Sequence, residues 1–176
     1  MRSPPLATYI AGTGTPVLLL HGLGGNADQS FGLLPADADY MRIAPEMPGH
    51  GHTDLLEGEP LNFRTFAVHT ADCLDALRTK GGIPSRPLPV VGVSMGAGVA
   101  LALANYRPGL VASLTLVRPS WADTAPPPHL TAFIEASWIP GADYGQLPVK
   151  TLDASQHTAV LQDRVRQHIG GVSTHE

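Results

Sequence analysis

Cysteine, charge and long apolar runs are the three things this sequence has little of, and each shortage excludes something. Cys73 is the single cysteine among 176 residues. No internal disulfide framework can therefore staple the fold, and the composition fits a reducing, cytoplasmic compartment. Charged residues make up only 15%, the formal net charge is −4, and Lys and Arg never cluster. A nucleic-acid partner, which needs a basic patch, is not expected. No apolar stretch approaches the roughly 18 residues that cross a bilayer, and the start, MRSPPLATYI, has no signal-like apolar segment, so no membrane partner is expected. What is present is 43% hydrophobic residues, enough for a real core in one domain spanning 1–176.

Strand-like and helix-like segments alternate over the first two thirds, the pattern of a parallel sheet wrapped by helices. LATYIAG and VLLLHG read as strands, the second a continuous apolar run of the kind buried on both faces. A short helix is expected over Gln29–Ala36, then a strand and a Gly/Pro loop in YMRIAPEMPGHGHTD. Asn62 is placed to cap a helix with Phe63, Phe66, Ala67, Leu74 and Leu77 on its apolar side, ending at Gly81 and Gly82. LPVVGVS is the next strand, Met95–Tyr106 the next helix, and VASLTLVRP a further strand. Beyond Trp121 the pattern weakens. ADTAPPPH is linker-like, HLTAFIEASW gives two or three helical turns, and Tyr144–Val149 is at best a weak strand. A last amphipathic helix, capped by Asp153 or Ser155, should turn Val160, Leu161, Val165 and Ile169 inward and end at Gly170 and Gly171. The expected class is α/β: a doubly wound, mostly parallel sheet with helices on both faces.

The chemistry concentrates where LPVVGVS meets MGAGVALALA. Gly92-Val93-Ser94-Met95-Gly96 matches G-x-S-x-G, with a strand before it and a helix after it, the context that motif requires. The turn at Ser94 leaves no space for neighbouring side chains, so Gly92 and Gly96 make room for a backbone that lifts the hydroxyl above the sheet. The helix N-terminus then aims backbone N–H groups, Met95's first, at any negative charge forming beside Ser94. In LLLHGLGGN, the Leu23 amide can supply a second such donor. Cys73 lies in a helix without a paired histidine and reads as a small core residue.

These segments, HGLGG, MPGHGHTD and GVSMGAG in that order, resemble the α/β-hydrolase superfamily, in particular its esterase, lipase and haloperoxidase-like branch. The resemblance runs from Leu6 to Trp121. It implies Ser94 as nucleophile, the Leu23 and Met95 amides as oxyanion hole, His21 as a shaping residue of the oxyanion loop, and no cofactor. It also implies a minimal hydrolase core whose cap is reduced to a remnant or linker over residues 124–141. The family's acid-bearing phrase, G-x-x-D-x-x-x-P, is absent, so a cap and the strand carrying the acid are expected to be missing.

A serine hydroxyl needs a histidine base that is itself held by a carboxylate. If the last strand pairs directly beside VASLTLVRP, the loop after it moves one strand closer to Ser94. His157, between last strand and last helix, is then the expected base, with His129 and His168 as alternatives. Asp123, just past the strand beside the serine strand, is the expected acid, with Asp143 and Asp153 as alternatives. The resulting reading is a serine hydrolase cleaving small esters through an acyl-enzyme. Two others stand beside it: an impaired remnant acting as a binding protein, and a metal-dependent hydrolase using His50, His52 and Asp54 in H-x-H-x-D. The metal reading lacks a further histidine, since Leu55 follows, and metal binding is not expected. A lost cap would also expose apolar surface or a sheet edge, through which two copies could pair.

Overall fold

The computed structural model describes residues 5–36, 39–55, 57–118, 149–153 and 158–173. Six strands lie within them: β1 Thr8–Ala11, β2 Thr15–Leu20, β3 Tyr40–Pro45, β4 Leu88–Val93, β5 Val111–Arg118 and β6 Val149–Asp153. They form one sheet in the order β1-β3-β2-β4-β5-β6. β1 pairs antiparallel with β3, and every other pairing is parallel. The carboxyl ends of β2 to β6 therefore share one edge, where open α/β sheets hold their ligands.

Four helices flank the sheet among the described residues: α1 Ala27–Phe31, α2 Phe63–Thr79, α3 Met95–Tyr106 and α4 Thr158–Ser173. Their placement follows from the two-residue period of the strands. Leu18 and Leu20 enter one core with Phe66, Leu74 and Leu103, while Val17 and Leu19 enter another with Leu34, Val165 and Ile169. So α2 and α3 cover one face, and α1 and α4 cover the other. The sheet is doubly wound, as the alternating pattern led us to expect.

Local signals set most boundaries, and four expectations need correction. The Asn62 side chain accepts the Thr65 N–H at 2.9 Å and starts α2 where its capping position predicts. The first helix, expected over Gln29–Ala36, is shorter and earlier, because Asn26 caps it by accepting the Gln29 N–H at 3.2 Å. The last strand, expected over Tyr144–Val149, runs on past Val149 to Asp153, residues 144–148 lying outside the described residues; it does pair directly with β5, as expected. Asp153 is consequently the final residue of β6, in register with Arg118, and not a helix cap. The last helix continues through Gly170 and Gly171 to Ser173. Glycine costs a helix interior about 1 kcal/mol, which the full burial of Val165 and Ile169 outweighs. The linker-like segment 124–141, Tyr144 and Ser155 lie outside the described residues.

Close backbone approach fixes how α3 meets the sheet. A Cβ on Gly96 would come within 2.7 Å of the His21 carbonyl oxygen and would also strike Leu20 backbone. Gly96→Ala should therefore destabilise the fold by about 1–3 kcal/mol. Gly109→Ala serves as the control, because a Cβ there meets nothing within 4 Å. Urea unfolding of both variants checks this; equal stability would contradict it.

Candidate active site

Ser94 sits at the carboxyl end of β4 with φ 51° and ψ −112°. Among the described residues it is the one non-glycine with positive φ. Such a backbone costs on the order of 1–3 kcal/mol and persists only where its surroundings over-determine it. Here they do. The Ser94 N–H donates to the Val117 carbonyl at 2.9 Å, and the Ser94 carbonyl accepts from Ala97 at 3.0 Å. Gly92 leaves the necessary space, since a Cβ on it would lie 2.7 Å from the Ala97 nitrogen. The Ser94 side chain makes no capping bond to the helix it precedes. The hydroxyl is half-buried, at the edge shared by five parallel strands.

The loop after β2 crosses directly over this serine. A Cβ on Gly22 would stand 3.5 Å from the Ser94 Cβ and from the Val93 carbonyl oxygen. The fully buried His21 holds that loop through both ring nitrogens. Met47 donates its N–H to Nε2 at 2.9 Å, which makes Nε2 the acceptor. The proton of the neutral ring is therefore on Nδ1, and it is donated to the Gly22 carbonyl at 2.8 Å. Gly25 N–H reaches the same carbonyl at 3.0 Å. In a trans peptide the carbonyl and the next N–H point in opposite directions. Fixing the Gly22 carbonyl thus turns the Leu23 N–H away from His21 and Gly25. Neither that N–H nor the Met95 N–H, which opens α3 and has no intrahelical acceptor, meets an acceptor among the described residues.

A buried carboxylate braces the neighbouring loop. Glu46 accepts the Ala27 N–H at 3.1 Å and the His52 N–H at 2.6 Å, and its carbonyl accepts the Thr53 hydroxyl at 2.8 Å. Burial pushes its pKa up, but the His52 and Ala27 hydrogen bonds outweigh that and hold the carboxyl below its ordinary value. The H-x-H-x-D run is occupied by this scaffold. His50 Nδ1 lies 3.1 Å from the Pro48 carbonyl, and His52 Nδ1 lies 2.9 Å from the Tyr9 hydroxyl. Among the described residues no three His, Cys, Asp or Glu side chains gather as a metal site. Cys73 packs on α2 with its Sγ 3.2 Å from the Thr8 hydroxyl, and burial pushes its thiol pKa up.

Of the residues expected to act, Ser94 and Met95 are adjacent where β4 meets α3, and Leu23 follows Gly22, at which the loop after β2 approaches Ser94. Asp123, His157, Asp143 and His129 lie outside the described residues. Asp153 ends β6 two strands from β4. His168 lies roughly 15 Å along α4 from Thr158, its Nε2 buried without a partner among the described residues. Two contributors were not foreseen. Glu46 has a signal, a lone carboxylate at the end of the apolar run RIAPEMP. Gln29, whose Oε1 accepts the Gly22 N–H at 2.6 Å, has none, because loop geometry alone brings it there.

A family description of the alpha/beta hydrolase fold matches residues 15–139, and the chain belongs to that family. Pimeloyl-[acyl-carrier protein] methyl ester esterase of Methylococcus capsulatus is 38% identical over 108 residues, covering 61% of this chain and 38% of that protein. Pyrrolizixenacetamide deacetylase of Xenorhabdus hominickii is 32% identical over 110 residues, covering 61% and 39%. Among solved structures, a thermophilic esterase from Thermogutta terrifontis superposes with a TM-score of 0.55 at 26% identity, covering 64% of this chain and 39% of that one. The chain thus spans about two fifths of the length of these relatives. No helix among the described residues is long and apolar enough to cross a membrane.

The His21 bonds have a consequence for acid stability. Burial lowers its pKa from the ordinary value of 6.5, outweighing the opposite pull of the Gly22 carbonyl. The unfolded chain therefore takes up a proton first. This stability is complete above about pH 6.5 and is lost as pH falls toward the depressed folded value. Urea unfolding between about pH 7 and pH 5 should show falling stability, and His21→Gln, less stable at pH 7, should flatten that slope. An unchanged slope would contradict the neutral, doubly bonded ring.

Proposed function

We propose that this protein is a serine hydrolase that cleaves small carboxylic esters through an acyl-enzyme. Ser94 is the nucleophile, His157 the base, Asp123 the acid that orients it, and the Leu23 and Met95 amides the oxyanion hole. The observation that carries the reading is the strained backbone of Ser94, met at Gly22 by the loop after β2, with the Leu23 and Met95 N–H groups meeting no acceptor among the described residues. A backbone held at such cost beside unused donors is suited to a charge that exists only during reaction.

In this scheme the Ser94 Oγ attacks the ester carbonyl carbon as His157 takes its proton. The carbonyl electron pair moves onto oxygen, where the Leu23 and Met95 amides stabilise it. Collapse expels the alcohol, protonated by His157, and leaves the acyl group on Ser94. Water then attacks the acyl carbon by the same route and releases the acid. The sequence supports His157 because it follows the end of β6 by four residues and immediately precedes α4. Asp123 follows the end of β5 by five; Asp153 and Asp143 are the alternative acids. One relative is named for a methyl ester and another for removing an acetyl group, which supports an acyl substrate with a small alcohol or a small acyl part.

Ser94→Ala should abolish turnover of a short-chain ester such as p-nitrophenyl acetate, a loss on the order of 10⁶-fold in a working triad. Turnover surviving in a pure Ser94→Ala preparation would rule out the serine mechanism. A chain that turns over no ester and whose Ser94 takes no fluorophosphonate would instead fit a binding protein built on the same fold.

EDTA should leave the activity unchanged, because among the described residues no three His, Cys, Asp or Glu side chains gather to hold a metal. Activity lost on chelation and restored by zinc would turn attention to His50, His52 and Asp54.

A further inference from the structure

The geometry points to Gln29 as a positioning residue for the oxyanion loop, an inference that rests on the serine-hydrolase reading above. Gly22 lies beside Ser94, a Cβ on it standing 3.5 Å from the Ser94 Cβ, and with no side chain it is free to rotate. Its two peptide planes are held from different sides. His21 Nδ1 and Gly25 N–H hold the carbonyl of the plane that also carries the Leu23 N–H. The other plane, which carries the Gly22 N–H, is held by the Gln29 side chain, whose Oε1 accepts that N–H at 2.6 Å.

Gln29 comes from the first turn of α1, which is itself tied down. Asn26 accepts the Gln29 N–H, and the buried Glu46 accepts the Ala27 N–H that opens the helix. The side chain lies so close over the loop that a Cβ on Gly25 would overlap it, and one on Gly22 would stand 3.3 Å from its Oε1. Glycine at 25 lets the amide close in, and glycine at 22 spares it a tight contact. The rotations on either side of the Gly22 Cα, φ and ψ, are thereby fixed independently. Without Gln29 the plane of the Gly22 N–H can turn about φ, and the plane of the Leu23 N–H is then held through its carbonyl alone. The donor is aimed less rigidly, and part of its preorganisation is lost.

The effect is on the transition state, because ester binding does not need the oxyanion donor aimed until charge develops. Gln29→Met keeps the length of the side chain and removes the acceptor. It should lower kcat for p-nitrophenyl acetate about tenfold, less than the loss of a whole donor, with KM changed less than about twofold. Gln29→Glu restores an acceptor oxygen but brings a charge toward the developing oxyanion. Its kcat should exceed that of Gln29→Met, and its shortfall from wild type should shrink as pH falls and the carboxyl takes up a proton. Thermal unfolding midpoints of both variants, close to wild type, separate this outcome from loss of fold. Wild-type kcat in Gln29→Met, or a raised KM with kcat intact, would overturn the positioning role. The wild-type protein is also treated with a fluorophosphonate: labelling at Ser94 upholds the underlying reading whatever Gln29 does, and no labelling overturns both.

Discussion

The whole carboxyl edge of the sheet depends on one close approach, that of the first turn of α3 to the ends of β2 and β4. With no side chain at Gly92 or Gly96, the first turn of α3 settles against Gly92 and against the Leu20 and His21 backbone at distances no Cβ would tolerate. The chain between strand and helix then has a single residue in which to turn. That residue is Ser94, left in a backbone conformation that L-amino acids rarely adopt. The strain at the serine and the presence of the glycines are thus one fact seen from two sides. Burial of Val90, Val91, Val99 and Leu103 on either side supplies the opposing stabilisation, at about 1.5–3 kcal/mol for each fully buried apolar side chain.

From this contact the rest of the edge is built outward by polar groups whose partners are dictated by burial. His21 cannot carry a charge in its position cheaply, so it is neutral, and each nitrogen finds a backbone partner. Those two bonds join the loop after β2 to the loop after β3. Glu46 can carry a charge there because two backbone N–H groups meet it, and by meeting them it ties α1 to the turn around His52. Asn26 and Gln29 then close the remaining gap between α1 and Gly22. Each bond is local, yet together they leave the Leu23 and Met95 amides, in the two segments that meet at the serine, without an acceptor among the described residues.

How much of this the sequence discloses depends on how local each cause is. The elbow is legible because Gly92, Ser94 and Gly96 are adjacent and the strand and helix patterns flank them directly. The N-cap of α2 is legible for the same reason, Asn62 and Thr65 being three residues apart. Reading the first helix over Gln29–Ala36 misses its cap, Asn26, which starts it at Ala27. The run of β6 on to Asp153 is hard to read because its alternating Val149-Lys150-Thr151-Leu152 pattern is short and follows a proline. Gln29 could not be read at all: its bond to Gly22 spans a loop whose path is set by tertiary contacts. The glycines of the last helix were taken as a stop, but tertiary packing of Val165 and Ile169 decides that segment.

The central claim is that Ser94 forms a covalent bond to the acyl group of an ester during turnover. Rapid acid quenching of the protein with p-nitrophenyl acetate, followed by peptide mass spectrometry, tests it most directly. The account predicts an acetyl group on the peptide containing Ser94, formed in a burst with the first equivalent of p-nitrophenol and absent from Ser94→Ala. Ester turnover with no acyl group on Ser94 at any quench time, or with the acyl group on another residue, would contradict it.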